Sequence, residues 1–151
     1  MTIRLANPSD LPALARAFSA YRVFYGQPDQ PEEAQAFLRE RMERSESVVF
    51  IAVDNDRIAG FTQLYPSFTS VGMRPIWILN DLYVYEDYRK QGVAQALIEA
   101  VLEYSRQTGR KKVALATAYD NVQAQRLYER IGFVRDPFYN YEILTEHHAH
   151  T

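Results

Sequence analysis

The stretch that decides the fold is Leu79-Asn80-Asp81-Leu82-Tyr83-Val84-Tyr85-Glu86-Asp87-Tyr88-Arg89-Lys90-Gln91-Gly92-Val93-Ala94. It reads as a strand, a short polar turn and the opening of a helix. Beyond it, Leu97, Ile98, Val101 and Leu102 continue the helical spacing begun at Ala94, which predicts a helix from about Gln91 to Thr108, stopped by Gly109. Gly92 sits where first-turn N–H groups have no intrahelical acceptor, and its missing Cβ lets a ligand approach the backbone. Amides from Lys90 to Gln95 then face one concavity, where the helix dipole favours an anion. Arg89 and Lys90 add positive charge. A single glycine with two basic neighbours is equally a solvated helix opening, so the stretch alone leaves both readings standing. The patterns of a P-loop and of a Rossmann dinucleotide site are both absent.

Upstream, Thr2 to Leu5 predicts a first strand. Asn7-Pro8 opens a helix whose apolar face is Leu11, Leu14, Ala15 and Phe18, continued by Tyr21 and Tyr25. Pro31-Glu32-Glu33 opens a second helix. Ser47 to Val53 and Arg57 to Tyr65 form a hairpin around Asp54-Asn55-Asp56. Pro66 to Pro75 reads as a loop, and Ile76 to Val84 as a central strand buried on both faces. Downstream, Lys112 to Thr117 is a short strand, and Asn121 caps a last helix ended by Gly132. Phe133-Val134 and Phe138 to Leu144 are closing strands split by Asp136-Pro137. The expectation is an α/β (α+β) single domain over residues 1–145, with a mixed sheet of about seven strands flanked by four helices, and a flexible tail over 146–151. Histidines 147, 148 and 150 in that tail could bind metal, but a frayed solvated end is the simpler account.

Composition narrows the function. The 151 residues carry a formal charge of −2, which gives no basic footprint for nucleic acid. The absence of cysteine excludes disulfides, zinc–thiolate sites and cysteine nucleophiles. The N-terminus lacks a signal pattern, and no apolar run approaches the ~20 residues that span a bilayer. These readings point to a cytoplasmic protein without membrane or nucleic-acid partners.

A second stretch adds specificity: Asn121-Val122-Gln123-Ala124-Gln125-Arg126-Leu127-Tyr128-Glu129-Arg130-Ile131-Gly132-Phe133. Together the two stretches resemble the GNAT superfamily of acetyl-CoA-dependent N-acetyltransferases. Its pattern (Gln/Arg)-x-x-Gly-x-(Gly/Ala) is met by Arg89, Gly92 and Ala94. Its Asn-x-x-Ala-x-x-(Leu/Phe)-Tyr followed by Gly-Phe is met by Asn121, Ala124, Leu127, Tyr128, Gly132 and Phe133. Leu79 to Val84 further resembles the branch of yeast-type histone and polyamine acetyltransferases, and more distantly the spermidine/spermine acetyltransferases.

The resemblance implies that acetyl-CoA lies where two parallel strands splay, here Ile76 to Val84 and Lys112 to Thr117. Backbone groups of Leu82, Tyr83 and Val84 would hold the pantetheine arm and polarise the thioester. Arg89, Lys90, Gln91, Gly92, Val93, Ala94 and Gln95 would hold the pyrophosphate, and Asn121 would contact the cofactor. Tyr128 would stabilise or protonate the leaving thiolate; taken alone, it reads as a packing residue. The spermidine/spermine enzymes carry a glutamate at the position of Asn80, and an amide cannot take a proton. With neighbouring strand residues on opposite faces, Asn80 toward the cleft puts Asp81 away from it. That favours a water relay ordered by Asn80. Tyr21, Tyr25 and Glu33, near Asp29 and Glu32, would receive a cationic amine; their plainer reading is core packing and a helix start. No metal is implied. A small amine such as a polyamine or diamine is the expected acceptor, and a homodimer the family's usual assembly. Protein lysine or N-terminal acetylation, and a non-catalytic acetyl-CoA-binding module, are the alternatives.

Overall fold

The computed structural model describes residues 1–146; His147, His148 and His150 lie outside them. Backbone contacts divide the chain into two compact units, Met1–Ala116 and Thr117–Thr151.

The first unit is built on one mixed sheet in the order β1-β2-β3-β4-β5. Its strands are β1 (Thr2–Leu5), β2 (Val48–Asp54), β3 (Arg57–Thr69), β4 (Arg74–Val84) and β5 (Val113–Ala114). The first four pair antiparallel, and β5 pairs parallel to β4. Helices α1 (Leu11–Phe24) and α2 (Pro31–Glu43) connect β1 to β2, and α3 (Val93–Gln107) connects β4 to β5.

Alternation along the strands assigns the two faces. Val49, Ile51 and Phe61 meet Leu11, Leu14, Ala15, Phe18, Ala34 and Leu38 of the first two helices in one buried cluster. The opposite parity packs beneath α3, where Tyr104 meets Phe50 and Trp77 with ring centroids 5.4 and 5.6 Å apart. Leu97, Ile98 and Val101, the stripe read from spacing, are fully buried. Before α1, Asn7 and Asp10 form a reciprocal capping box, and Asp10 takes a bidentate pair from Arg4 at 2.8 and 2.9 Å. That guanidinium holds the Asp10 carboxyl below its ordinary value.

Three sequence expectations need correction. The sheet of the described residues has five strands rather than about seven. After Gly132 the chain forms no strand up to residue 146. There the Phe138 N–H turns back to Asp136 Oδ1 at 3.0 Å, and Pro137 has no donor, so a local turn displaces the ladder. Pro66 to Pro75 is mostly strand: β3 and β4 pair out to Thr69 and Arg74, and only residues 70–73 turn. Pro66 is tolerated because pairing with β2 ends at Leu64, so no ladder bond is asked of it on that side. Finally, β5 is two residues long rather than Lys112 to Thr117.

The second unit holds α4 (Val122–Ile131). Asn121 caps it through Oδ1, which accepts the Ala124 N–H at 3.2 Å. Gly132 ends it at a φ of 127°, a region that favours glycine.

Candidate active site

The site begins where β4 loses its second partner. Pairing with β5 covers only Trp77 and Ile78. Two residues later the register with β3 slips: Leu64 faces Leu79, Gln63 faces Asp81, and Asn80 is left over as a β-bulge. A bulge bends and twists its strand, which is a sufficient reason for the β5 ladder to stop there.

Beyond the bulge, the antiparallel ladder fixes backbone direction. The Tyr85 N–H bonds to Ala59 O at 2.9 Å. Counting back in steps of two, Tyr83 also faces β3, whereas the N–H and C=O groups of Val84 and Leu82 turn away from it. Among the described residues no strand continues the sheet on that side. One of these groups has an internal partner: Val84 O accepts Arg89 Nε at 2.9 Å. The Arg89 guanidinium also lies over the rings of Phe24 and Tyr83, at 5.7 and 5.8 Å. Arg89 thus ties the end of β4 to the following loop as well as bringing charge to it.

That loop is a single 3-10 turn, Glu86–Tyr88. Tyr88 anchors it by donating its hydroxyl to Asp54 Oδ2 at 2.9 Å, a bond that raises the phenol above its ordinary value. Lys90 and Gly92 follow at φ 63° and 79°, and α3 starts at Val93. The first intrahelical bond runs from Ala96 N–H to Gly92 O, so the amides of Val93, Ala94 and Gln95 have no helical acceptor. Gln91 and Gln95 turn their side chains to Asp87 O and Glu99 Oε1, leaving these amides uncapped by them. Open strand edge, left-handed turn and helix N-terminus are consecutive in the chain. This fits a ligand with an extended amide arm and a phosphate group, which is what acetyl-CoA offers.

The bulge also corrects the expectation that Asn80 and Asp81 face opposite ways. Asn80 is exposed and Asp81 buried, yet Asn80 Nδ2 donates to Asp81 Oδ1 at 3.2 Å. Gln63 Nε2 donates to the other carboxylate oxygen at 2.8 Å. Tyr21 faces the same group: burial first, then the Asp81 charge, raises its hydroxyl far above the ordinary phenol range. Tyr65 is raised for the same two reasons in the same order. Asp81 is therefore the centre of a polar cluster that strict strand alternation hides. Two adjacent polar residues inside an apolar strand were the available signal.

Of the residues expected to receive an acceptor, Tyr21 and Tyr25 meet edge-to-face at 5.2 Å. Tyr21 also packs on Phe61 and Tyr83. Glu33 stands apart, exposed in the first turn of α2, where it complements the helix dipole. In the second unit, Tyr128 stacks edge-to-face on Phe133 at 5.9 Å, and its carbonyl accepts the Gly132 and Phe133 amides. The Oδ1 of Asn121 is occupied by its capping bond.

Residues 14–133 match the profile of the acetyltransferase (GNAT) family. The chain belongs to this family. It is 45% identical over 136 residues to an N-acetyltransferase of Bacillus subtilis described as uncharacterized, covering 90% of this chain and 91% of that one. It is 32% identical to a Haemophilus influenzae protein described as a probable acetyltransferase, covering 91% and 92%. A solved structure, "Crystal structure of a probable acetyltransferase", superposes with a TM-score of 0.90 at 41% identity, over 97% and 99% of the two chains. The GNAT protein described here is an acyltransferase, and acetyltransferases of this family use acetyl-CoA. Among the described residues no cluster suited to a metal ion occurs, and no helix is long and apolar enough to cross a membrane.

Proposed function

We propose that this GNAT protein transfers an acetyl group to the primary amine of a small molecule, with a diamine or polyamine as acceptor. The observation that carries the reading is the single-partnered half of β4 running into the left-handed turn at Gly92 and the uncapped start of α3. In this reading Leu82 and Val84 offer main-chain bonds to the pantetheine arm, with Tyr83 between them. Arg89 to Gln95 receive the pyrophosphate, Gly92 because nothing but hydrogen stands on its Cα. Asn121 contacts the cofactor through the part of its amide not used in capping. Bound acetyl-CoA supplies the acetyl thioester.

The chain's own residues then have two proton tasks. An ammonium is not a nucleophile, so the acceptor sheds a proton, and Asn80 at the bulge orders the water that receives it. Tyr128 stabilises the departing thiolate by donating its phenol O–H to it. Tyr21, Tyr25 and Glu33 supply aromatic faces and negative charge for the rest of the acceptor. Placement in the yeast-type histone and polyamine branch rests on Leu79 to Val84 and belongs to the same proposal. So do a homodimer and a cytoplasmic location.

The test is release of CoA from acetyl-CoA in the presence of a broad amine panel. Turnover with at least one amine is expected, and Tyr128→Phe should lower kcat by about 100-fold, the lower end for a general acid, with acetyl-CoA affinity kept. If no amine raises CoA release above that in water, the reading fails.

A further inference from the structure

Asp81 is a carboxylate with 6% of its surface exposed, and its hydrogen-bond donors are neutral. Among the described residues no lysine or arginine forms an ion pair with it. Burying an ionised group is costly unless a counter-charge or several donors offset it. Here each carboxylate oxygen takes a hydrogen bond from a neutral side-chain amide, Oδ2 from Gln63 and Oδ1 from Asn80. A carboxylate thus lies beneath the bulge with no lysine or arginine partner among the described residues.

Gln63 carries the argument further. It is fully buried, and its Nε2 must face the carboxylate, since its oxygen there would repel. That leaves Gln63 Oε1 as a buried acceptor without a donor. The same logic sets Asn80: Nδ2 is turned to Asp81, so Oδ1, the other arm of the planar amide, is turned away from it. Asn80 itself is exposed. Next to the cluster, Tyr65 borders a cavity of about 400 Å3 that also includes Phe37, Arg41 and Pro66. The cluster therefore has a carboxylate and, on Asn80, an exposed acceptor, while the Arg41 that borders the neighbouring cavity is paired with Glu40 and Glu46 rather than with Asp81.

We propose that the Asn80–Asp81 pair is the seat of a cationic acceptor, with Asp81 supplying the charge and Asn80 Oδ1 the direct contact. This rests on the acetyl-transfer reading for its context and narrows the acceptor to amines that keep a positive charge while bound. Asp81 acts through Asn80 and is a positioning residue.

The experiment compares putrescine with its singly charged analogue pentylamine, in turnover with acetyl-CoA and in calorimetric binding to the CoA-saturated protein. The native protein should prefer putrescine. Asp81→Asn should lower kcat/KM for putrescine on the order of 10- to 100-fold, the loss of one opposite charge close to the bound ammonium. It should leave pentylamine and the acetyl-CoA Kd within about twofold, well under one tenfold step. Moving the charge, with Asn80→Asp added to Asp81→Asn, should restore the preference; a merely structural Asp81 gives no such rescue. If Asp81→Asn does not fold, Asn80→Leu at the exposed position should show the same lost preference. An unchanged preference in a folded variant overturns the proposal, as does a double variant that folds and binds CoA without rescue. If the native protein turns over no amine, the acetyl-transfer reading falls while calorimetry still decides the seat: weaker putrescine binding to Asp81→Asn supports it, and equal binding overturns it.

Discussion

At Trp77 and Ile78, β4 has a strand on each side; from Asp81 to Val84 it has β3 alone. The doubly paired half is clasped from several directions. Trp77 N–H reaches Lys112 O at 3.0 Å, and its indole N–H reaches Thr108 Oγ1 at 3.0 Å. Arg110 lies over the indole at 4.8 Å and donates to Ser67 O and Ile76 O, both at 3.1 Å. The other half spends its outward backbone groups on no strand. One strand thus combines a fastened end with an end whose polar groups remain available, and the Asn80 bulge separates them. A ligand that needs main-chain hydrogen bonds can be met only on the second half, and the first half holds that edge still.

The sharpest way to break the comparison is to damage the fastened half. Trp77→Ala removes a side chain that is 6% exposed, together with its Thr108 bond and the face under Arg110. Core truncations of this size cost about 3–5 kcal/mol. Chemical denaturation should show that loss, while acetyl transfer per folded molecule, measured well below the melting point, stays near the native value. Lost turnover with unchanged stability would mean that the division between the two halves is wrongly drawn.

A smaller effect is expected at the other end of the cradle. Gly92 has a φ of 79°, and a Cβ placed there meets nothing within 4 Å. The cost of Gly92→Ala is therefore conformational alone, about 1–2 kcal/mol for a left-handed residue. A melting point lower by a few degrees is expected, about 2–4 °C per kcal/mol in a chain of this size. Relaxing the turn should also weaken acetyl-CoA binding about tenfold, equivalent to ~1.4 kcal/mol. A normal melting point with unchanged affinity would remove Gly92 from the cradle.

These two positions also mark what was legible in the sequence. Gly92 and the Leu97, Ile98 and Val101 stripe were readable because helix periodicity and a left-handed junction are local properties. Trp77 gave no hint that it is one of the two positions paired on both sides, since pairing depends on a strand more than thirty residues away. Asn80 and Asp81 were visible as polar residues, but period-two reasoning placed them on opposite faces. A bulge changes that count, and only the partner register reveals it. Pro66 to Pro75 was read as a loop from its polar composition and Gly72, whereas its pairing out to Thr69 and Arg74 depends on a partner strand that local composition does not show. Phe138 to Leu144 has strand-like composition, yet the Asp136-Pro137 turn before it uses local bonds instead. The roles of Tyr128 and Asn121 came from a motif; their helix contacts alone do not assign chemistry.

The finest distinction between the halves lies in single amides and needs no substitution. Trp77 and Tyr85 N–H groups are held by Lys112 O and Ala59 O, whereas those of Leu82 and Val84 face away from β3. Amide hydrogen exchange followed by NMR should therefore find Leu82 and Val84 exchanging faster than Trp77 and Tyr85 in the free protein, because an amide without a partner needs no opening reaction. Saturating acetyl-CoA should slow Leu82 and Val84 by at least about tenfold, consistent with a hydrogen bond worth ~1 kcal/mol or more plus exclusion of water. Trp77 should change only as much as global stabilisation by a ligand requires, which is the same factor for every amide that opens by complete unfolding. The comparison fails if Leu82 and Val84 are already as protected as Tyr85 without ligand. It also fails if acetyl-CoA slows all four amides alike, since the second half of β4 would then be one more piece of scaffold.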